Sequence, residues 1–352
     1  MKVCIVTAYN NLNSGSYWQA FALGYILKNA GCEVYYYKCP SKGAKSSIRE
    51  TIKNIWKKLH GLEFAEAIDY IKKIVLFRMS KGFFTIVNPS GKKFNEINCF
   101  ILGSDTIWDL NSEYYKQNKP IFWGDFFIGK KIISYAGSIA NTNTELLLNN
   151  QEFSKSINQW AAISVRDRFT QDAFSRLTNK TVSLNCDPSL LLQECHYKKF
   201  CQPQPGNYIF IYLFKPLSNK QNENIRKFAD DNNLKVICGA QRKTFELSDK
   251  HIINSPNNFI RYMLGAKYVI TDTYHGTLFS TNFNKQFVTI NRNLKKANDY
   301  LSFLDLTNRI INTETNISEV IITPINYTQI NQTINKIRHD SLSFLKNNLS
   351  TN

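Results

Sequence analysis

The residues best suited to chemistry lie in Thr271-Asp272-Thr273-Tyr274-His275-Gly276. This run follows the apolar stretch 267–271, which reads as a strand, and leads into helical sequence from residue 277. His275 is therefore expected at the carboxyl end of a strand and at the start of a helix. A helix N-terminus offers free N–H groups and a positive dipole to an anion. A histidine there can donate to a phosphate or carboxylate, or move a proton near neutral pH. Gly276 would let a ligand approach the backbone, Asp272 could orient the imidazole or cap the helix, and Tyr274 flanks them. The competing expectation is a capping cluster around a structural histidine.

Three further clusters fall after apolar stretches. Gly103-Ser104-Asp105 follows the strand-like 98–102. Asp105 could act as a base towards a sugar hydroxyl or cap a turn. Trp108 could stack on a sugar face or fill the core, and Ser104 sits beside them. Arg166 and Arg168 follow the stretch 161–165 and suit bidentate capture of carboxylate or phosphate; a surface Arg–Asp pair is the alternative. Residues 10–15, with Asn13 and Gly15, form a polar loop of the sort that holds anions. Asp187-Pro188-Ser189 reads as a turn that opens a helix. GxGxxG and GxxxxGK[ST] are absent, which disfavours dinucleotide and P-loop binding. So are the GxSxG elbow, Cys/His protease signatures and nucleic-acid motifs. His60, His196, His251 and His339 lack metal-ligand spacing, and no metal site is expected.

These clusters need a scaffold that brings strand ends together. Strand-like stretches at 2–8, 33–38, 98–102, 131–135 and 161–165 alternate with helical ones at 16–30, 46–81, 144–160 and 167–177. A Pro-rich stretch, 201–207, reads as a linker. The alternation then restarts, with strands at 208–213, 234–238, 267–271 and 286–290 and a final helix at 327–348. Such alternation implies parallel sheets. The expected fold is α/β: two Rossmann-like parallel-sheet domains, residues 1–200 and 207–352, facing across a cleft, with a C-terminal helix. Ligands in such sheets bind beyond the carboxyl ends of the strands.

Composition agrees with a globular chain of 352 residues, 43% hydrophobic and 20% charged. Eight cysteines include no CxxC pair, and several sit in apolar runs; that favours reduced thiols and the cytoplasm. The first residues do not read as a signal peptide, and no run approaches the roughly 20 apolar residues of a spanning helix. The net charge of +17 attracts anions. Ten basic residues lie between Lys42 and Lys81, where Ile48, Ile52, Ile55, Trp56 and Leu59 recur at helical spacing. A solvated helix packed on its domain is one expectation. Peripheral contact with the anionic inner face of a membrane is the other.

Taken in order, six segments resemble the polysaccharide pyruvyl transferase family. They are Asn13-Ser14-Gly15 with Gln19-Ala20-Phe21-Ala22-Leu23, Gly103-Ser104-Asp105-Thr106-Ile107-Trp108, Ser134-Tyr135-Ala136-Gly137-Ser138, Ser164-Val165-Arg166-Asp167, Asp187-Pro188-Ser189, and Thr271-Asp272-Thr273-Tyr274-His275-Gly276-Thr277. The resemblance spans about residues 1 to 310. It implies a GT-B-like, metal-independent transferase, with the acceptor on the N-terminal side and an anionic donor on the C-terminal side. It implies transfer of the carboxyvinyl carbons of phosphoenolpyruvate, a co-substrate rather than a cofactor, onto two sugar hydroxyls as a ketal. The acceptor would be a glycan or lipid-linked precursor of bacterial surface polysaccharide. Arg166 and His275 would hold the donor, and His275 or Asp105 would shuttle protons. Members often carry Arg two positions before the histidine, where this chain has Thr273. The contact so lost is worth roughly 1.5–3 kcal/mol; Arg168, Arg292 or Lys285 would have to supply it. The alternatives are a glycosyltransferase using a nucleotide sugar and a non-catalytic carbohydrate-binding protein. A small pocket with convergent basic groups would favour the first reading. A long groove with a base-sized slot would favour the second.

Overall fold

The computed structural model describes residues 1–9, 11–39, 64–240, 244–292, 295–312 and 315–349. Asn10 and the apolar positions Ile48 to Leu59 of the basic segment lie outside them.

The first sheet holds β1 (Lys2–Val6), β2 (Glu33–Tyr37), β3 (Ile86–Val87), β4 (Cys99–Leu102) and β5 (Lys131–Ser134), all parallel, in the order β3-β2-β1-β4-β5. Parallel bridges from Ile133 to Ala162 and from Gly137 to Val165 extend it to β6 (Ile163–Val165), which pairs with β7 (Val182–Leu184). The second sheet holds β8 (Tyr208–Tyr212), β9 (Lys235–Cys238), β10 (Lys250–His251), β11 (Tyr268–Thr271), β12 (Gln286–Ile290) and β13 (Ile310–Ile311). It too is parallel throughout, in the order β10-β9-β8-β11-β12-β13. The two-unit α/β architecture read from the alternation is the observed one. Within it, the expected helix at 144–160 is two helices, Thr144–Leu148 and Gln151–Gln159. Asn150 breaks it: its side chain accepts from the Phe153 N–H and starts the second helix.

The helix Ser14–Asn29 decides how the two units meet. Asn13 caps it, accepting from the Gly15 and Ser16 N–H groups. Its sequence is apolar on most sides, and such helices are buried all round; every residue from Ser14 to Gly24 is buried. The Trp18 indole donates to the Pro256 carbonyl at 2.8 Å, and the Ser14 hydroxyl to Asn254 Oδ1 at 2.8 Å. One apolar cluster runs from Val3 and Ile5 through Trp18, Phe21 and Leu190–Leu192 to Phe210, Phe259 and Phe279. The two units thus share a core. Fully burying side chains of this size contributes roughly 1.5–3 kcal/mol each.

The final helix, Tyr327–Leu349, lies across both units. Its Ser341 hydroxyl accepts from the Cys186 N–H at 2.9 Å. Buried Arg338 donates through Nε to the Leu190 carbonyl and through Nη2 to Asn282 Oδ1. Removing the guanidinium deprives the buried Leu190 carbonyl and the half-buried Asn282 amide oxygen of their donor. Arg338→Ala should therefore lower unfolding free energy by about 1–3 kcal/mol, read as a lower urea midpoint at unchanged slope.

Candidate active site

Four loops, each just past the carboxyl end of a strand, deliver Asp105 (after β4), Arg166 (after β6), Asp187 (after β7) and His275 (after β11). Arg166 is the hub. Its side chain is 1% exposed, and Nη1 donates to Asp187 Oδ2 at 2.7 Å. Nη2 lies 3.7 Å from Asp105 Oδ1, and the guanidinium sits 4.7 Å from the centre of the Tyr274 ring. Asp187 Oδ2 is also 3.9 Å from His275 Nε2. Asp187 keeps its expected turn role, since Oδ1 accepts from the Ser189 N–H at 3.0 Å. The Arg–Asp surface pair weighed for Arg166 does not form; its partner is a distant aspartate in the interior.

Asp105 reaches this centre because its backbone is left-handed, with φ 78°. Aspartate tolerates that conformation better than most residues. Its Oδ2 accepts from the Ser16 hydroxyl at 2.7 Å and its Oδ1 from the Thr106 N–H at 2.8 Å. Burial pushes the carboxyl pKa up, but Arg166, His275, Lys296 and the Ser16 hydrogen bond outweigh it, so the group titrates below its ordinary 3.8 and stays ionised.

His275 lies in the first turn of the helix Tyr274–Asn282, which begins earlier than its apolar pattern suggests because Thr273 caps it. The Thr273 hydroxyl accepts from the Gly276 N–H at 2.9 Å. On its other side the imidazole meets the first helix. A Cβ on Gly15 would fall 2.3 Å from His275 Cγ and Nδ1. Gly15 is therefore a packing partner of the ring. Burial lowers the imidazole pKa below 6.5; Asp187 and Asp105 pull it up, while Arg166 and Lys296 push it further down. The ring is neutral at neutral pH. Among the described residues, His275 Nε2 and Arg166 Nε and Nη2 are buried without a hydrogen-bond partner.

Other expected positions fall elsewhere. Trp108 is fully buried, stacked on Trp160 with ring centres 5.6 Å apart and donating to the Phe122 carbonyl at 3.0 Å. It fills the space above Gly137, where a Cβ would lie 2.5 Å from its ring, and so cannot stack on a sugar. Ser104 is buried and donates to the Ala136 carbonyl at 2.8 Å. Gly276 is not a point of ligand approach, because the space a Cβ would take holds the Thr271 and Thr273 hydroxyls at 2.1 and 2.7 Å. Asp272 neither caps the helix nor meets His275. It accepts from the Phe214 and Lys215 N–H groups at 2.7 and 3.1 Å. Arg168 is exposed, 5.9 Å from the Phe303 ring centre, and Lys285 donates to the Leu264 carbonyl. Arg292 donates to the Pro216 carbonyl at 2.8 Å and lies 3.8 Å from Asp272. Of the charges near the centre, Lys296 had no sequence motif to announce it. Its ammonium is 5.6 Å from the Tyr274 ring centre, and burial beside Arg166 pushes its pKa down to about 8, against the pull of Asp105 and Asp167.

Two parallel-sheet units that share one core, with a polar centre beyond the strand ends, define a GT-B-like protein. The family model of polysaccharide pyruvyl transferase matches residues 13–293, and the chain belongs to that family, a family of transferases. A protein from Listeria monocytogenes assigned as a UDP-N-acetylglucosamine 2-epimerase superposes with a TM-score of 0.52 at 8% identity, over 97% of this chain and 90% of that one. The UDP-N-acetylglucosamine 2-epimerase of Neisseria meningitidis gives 0.49 at 11% identity over 99% of both chains. A functionally uncharacterised protein from Klebsiella pneumoniae gives 0.47 at 15%, over 88% and 92%. At such identities the likeness is one of fold. The comparison with curated proteins finds no match.

Electrostatics around His275 can be tested by NMR titration of the imidazole. It should protonate below pH 6.5, and Asp187→Asn should move the midpoint lower still, because a neighbouring negative charge is lost. A group with a depressed folded-state pKa contributes stability above its unfolded value of 6.5 that is lost as pH falls through the folded value. A midpoint above 6.5 would contradict the arrangement.

Proposed function

We propose that this protein transfers the pyruvyl group of phosphoenolpyruvate to two hydroxyls of a sugar in a bacterial surface-polysaccharide precursor. The observation that carries the reading is the buried Arg166, whose Nε and Nη2 lack a hydrogen-bond partner beside the equally unpartnered Nε2 of a neutral His275. A guanidinium so placed suits a planar carboxylate, and a neutral imidazole can take a hydroxyl proton. Lys296 supplies a cation for the phosphate where Thr273 replaces the family's frequent arginine.

In the proposed reaction C3 of the donor gains a proton and becomes a methyl group. Two sugar oxygens bond to C2 and the C2–O bond to phosphate breaks; the proton of one hydroxyl passes by way of His275 to C3, and the proton of the other leaves on the departing phosphate. Asp105, ionised and fixed by Ser16, stabilises positive charge developing at C2.

Phosphoenolpyruvate should raise the melting temperature with concentration by mass action, about 2.7 kcal/mol at 100 times Kd, whereas UDP and ADP should not. Lys296→Gln should weaken binding by about 1.5–3 kcal/mol, tenfold or more in Kd, and wild-type affinity should fall as pH rises through about 8. His275→Ala should abolish turnover. No shift at millimolar phosphoenolpyruvate would refute the donor, and retained turnover would refute the role of His275.

We propose also that the protein meets its precursor at an anionic membrane surface. Among the described residues no helix is long and apolar enough to cross a membrane. The helix Phe64–Met79 exposes Ile71, Val75 and Met79, four residues apart on one face, between exposed Lys72 and Arg78. Such a basic, apolar-faced helix suits anionic lipid. The protein should sediment with phosphatidylglycerol liposomes at low salt and less so with Ile71→Asp/Val75→Asp; absence of sedimentation would refute the contact.

A further inference from the structure

A cavity of about 400 Å³ opens between the loop Leu12–Asn13, the helix Phe64–Met79 and the carboxyl ends of β8 and β9. Its size is that of a small-molecule site, and none of its residues belongs to the His275 centre. We propose that it seats the acceptor as an uncharged sugar ring; this rests on the pyruvyl-transfer reading and names the acceptor side of the same reaction.

Phe214 lines the cavity and is 59% exposed although its neighbour Leu213 is buried. Its backbone is held in place by Asp272, through the 2.7 Å bond to its N–H. A flat apolar ring at a cavity wall suits the apolar C–H face of a pyranose. Glu66, Asp69, Asn13 and Asn254 line it with carboxylates and amides, groups that pair with hydroxyls, though the Asn13 and Asn254 oxygens already accept from Gly15, Ser16 and Ser14. Among the described residues of the lining, the charged ones are Glu66, Asp69 and Lys73, with His251 3.7 Å from Asp69. A nucleotide diphosphate would meet two of these carboxylates against one ammonium, a balance that suits a neutral ligand better.

The cavity is tied to the reacting centre at two points. Asn13 Oδ1 accepts from the N–H groups of Gly15, which touches His275, and Ser16, which holds Asp105. Asp272, which fixes Phe214, lies three residues before His275 on the same strand end. A sugar stacked on Phe214 would therefore lie beside the loops that carry Asp105 and His275.

Saturation-transfer NMR tests this with the methyl glycosides of glucose, galactose and N-acetylmannosamine as probes, in the presence of phosphoenolpyruvate. At least one glycoside should receive saturation from the wild-type protein. The transfer should fall at least tenfold in Phe214→Ala and in Asp69→Asn, while the thermal shift with phosphoenolpyruvate stays unchanged in both. No transfer to any of the three, transfer that survives both substitutions, or displacement by UDP or ADP would overturn the assignment. If glycosides bind and are lost as described but phosphoenolpyruvate gives no shift, the cavity stands as a sugar site and the donor reading alone falls.

Discussion

The backbone of Gly15 lies against the imidazole of His275 with no room for a Cβ between them. That contact sets the distance between the two units at the site, because Gly15 begins the buried first helix and His275 begins a helix of the second sheet. Ser16, one residue on, binds Asp105, so the same turn places a carboxylate of the first sheet against a histidine of the second. The apolar packing of Trp18 and Phe21 then holds the turn in position from behind. The centre is thus assembled by core packing, and its precision derives from a helix with almost no exposed face.

Charge in the centre is balanced locally. Arg166 stands between Asp187 and Asp105, and only Nη1 is used in a short hydrogen bond. Leaving one buried partner uncompensated would cost several kcal/mol, which explains why both carboxylates accompany the arginine. The incomplete pairing of its remaining nitrogens leaves donor capacity for an anion, and burial strengthens such bonds.

The repeating strands and helices were legible because strands buried on both faces read as continuous apolar runs, as Cys99–Leu102 does. The two-residue edge strands at Ile86, Lys250 and Ile310 were not, since their register comes from neighbours far away in sequence. His275, Asp105 and Arg166 were legible from their places after apolar runs. The same rule also selected Ser104, Trp108 and Gly276, whose surroundings turn them to packing: it identifies loops at strand ends but not which way a side chain turns. Asp187 read as a turn former because its second oxygen meets partners 21 and 88 residues away. Lys296 had no local signal at all.

The helix Tyr327–Leu349 binds Cys186 and Leu190 of the first unit and Asn282 of the second. Domains of a growing chain generally fold in order of synthesis, but here the loop carrying Asp187 waits for a segment made some 150 residues later, as the 155-residue separation of Cys186 and Ser341 records. During translation the first unit must emerge with the Leu190 side of its core uncovered. The apolar surface around Leu190 is thus covered only once the segment that carries Arg338 and Ser341 has been made.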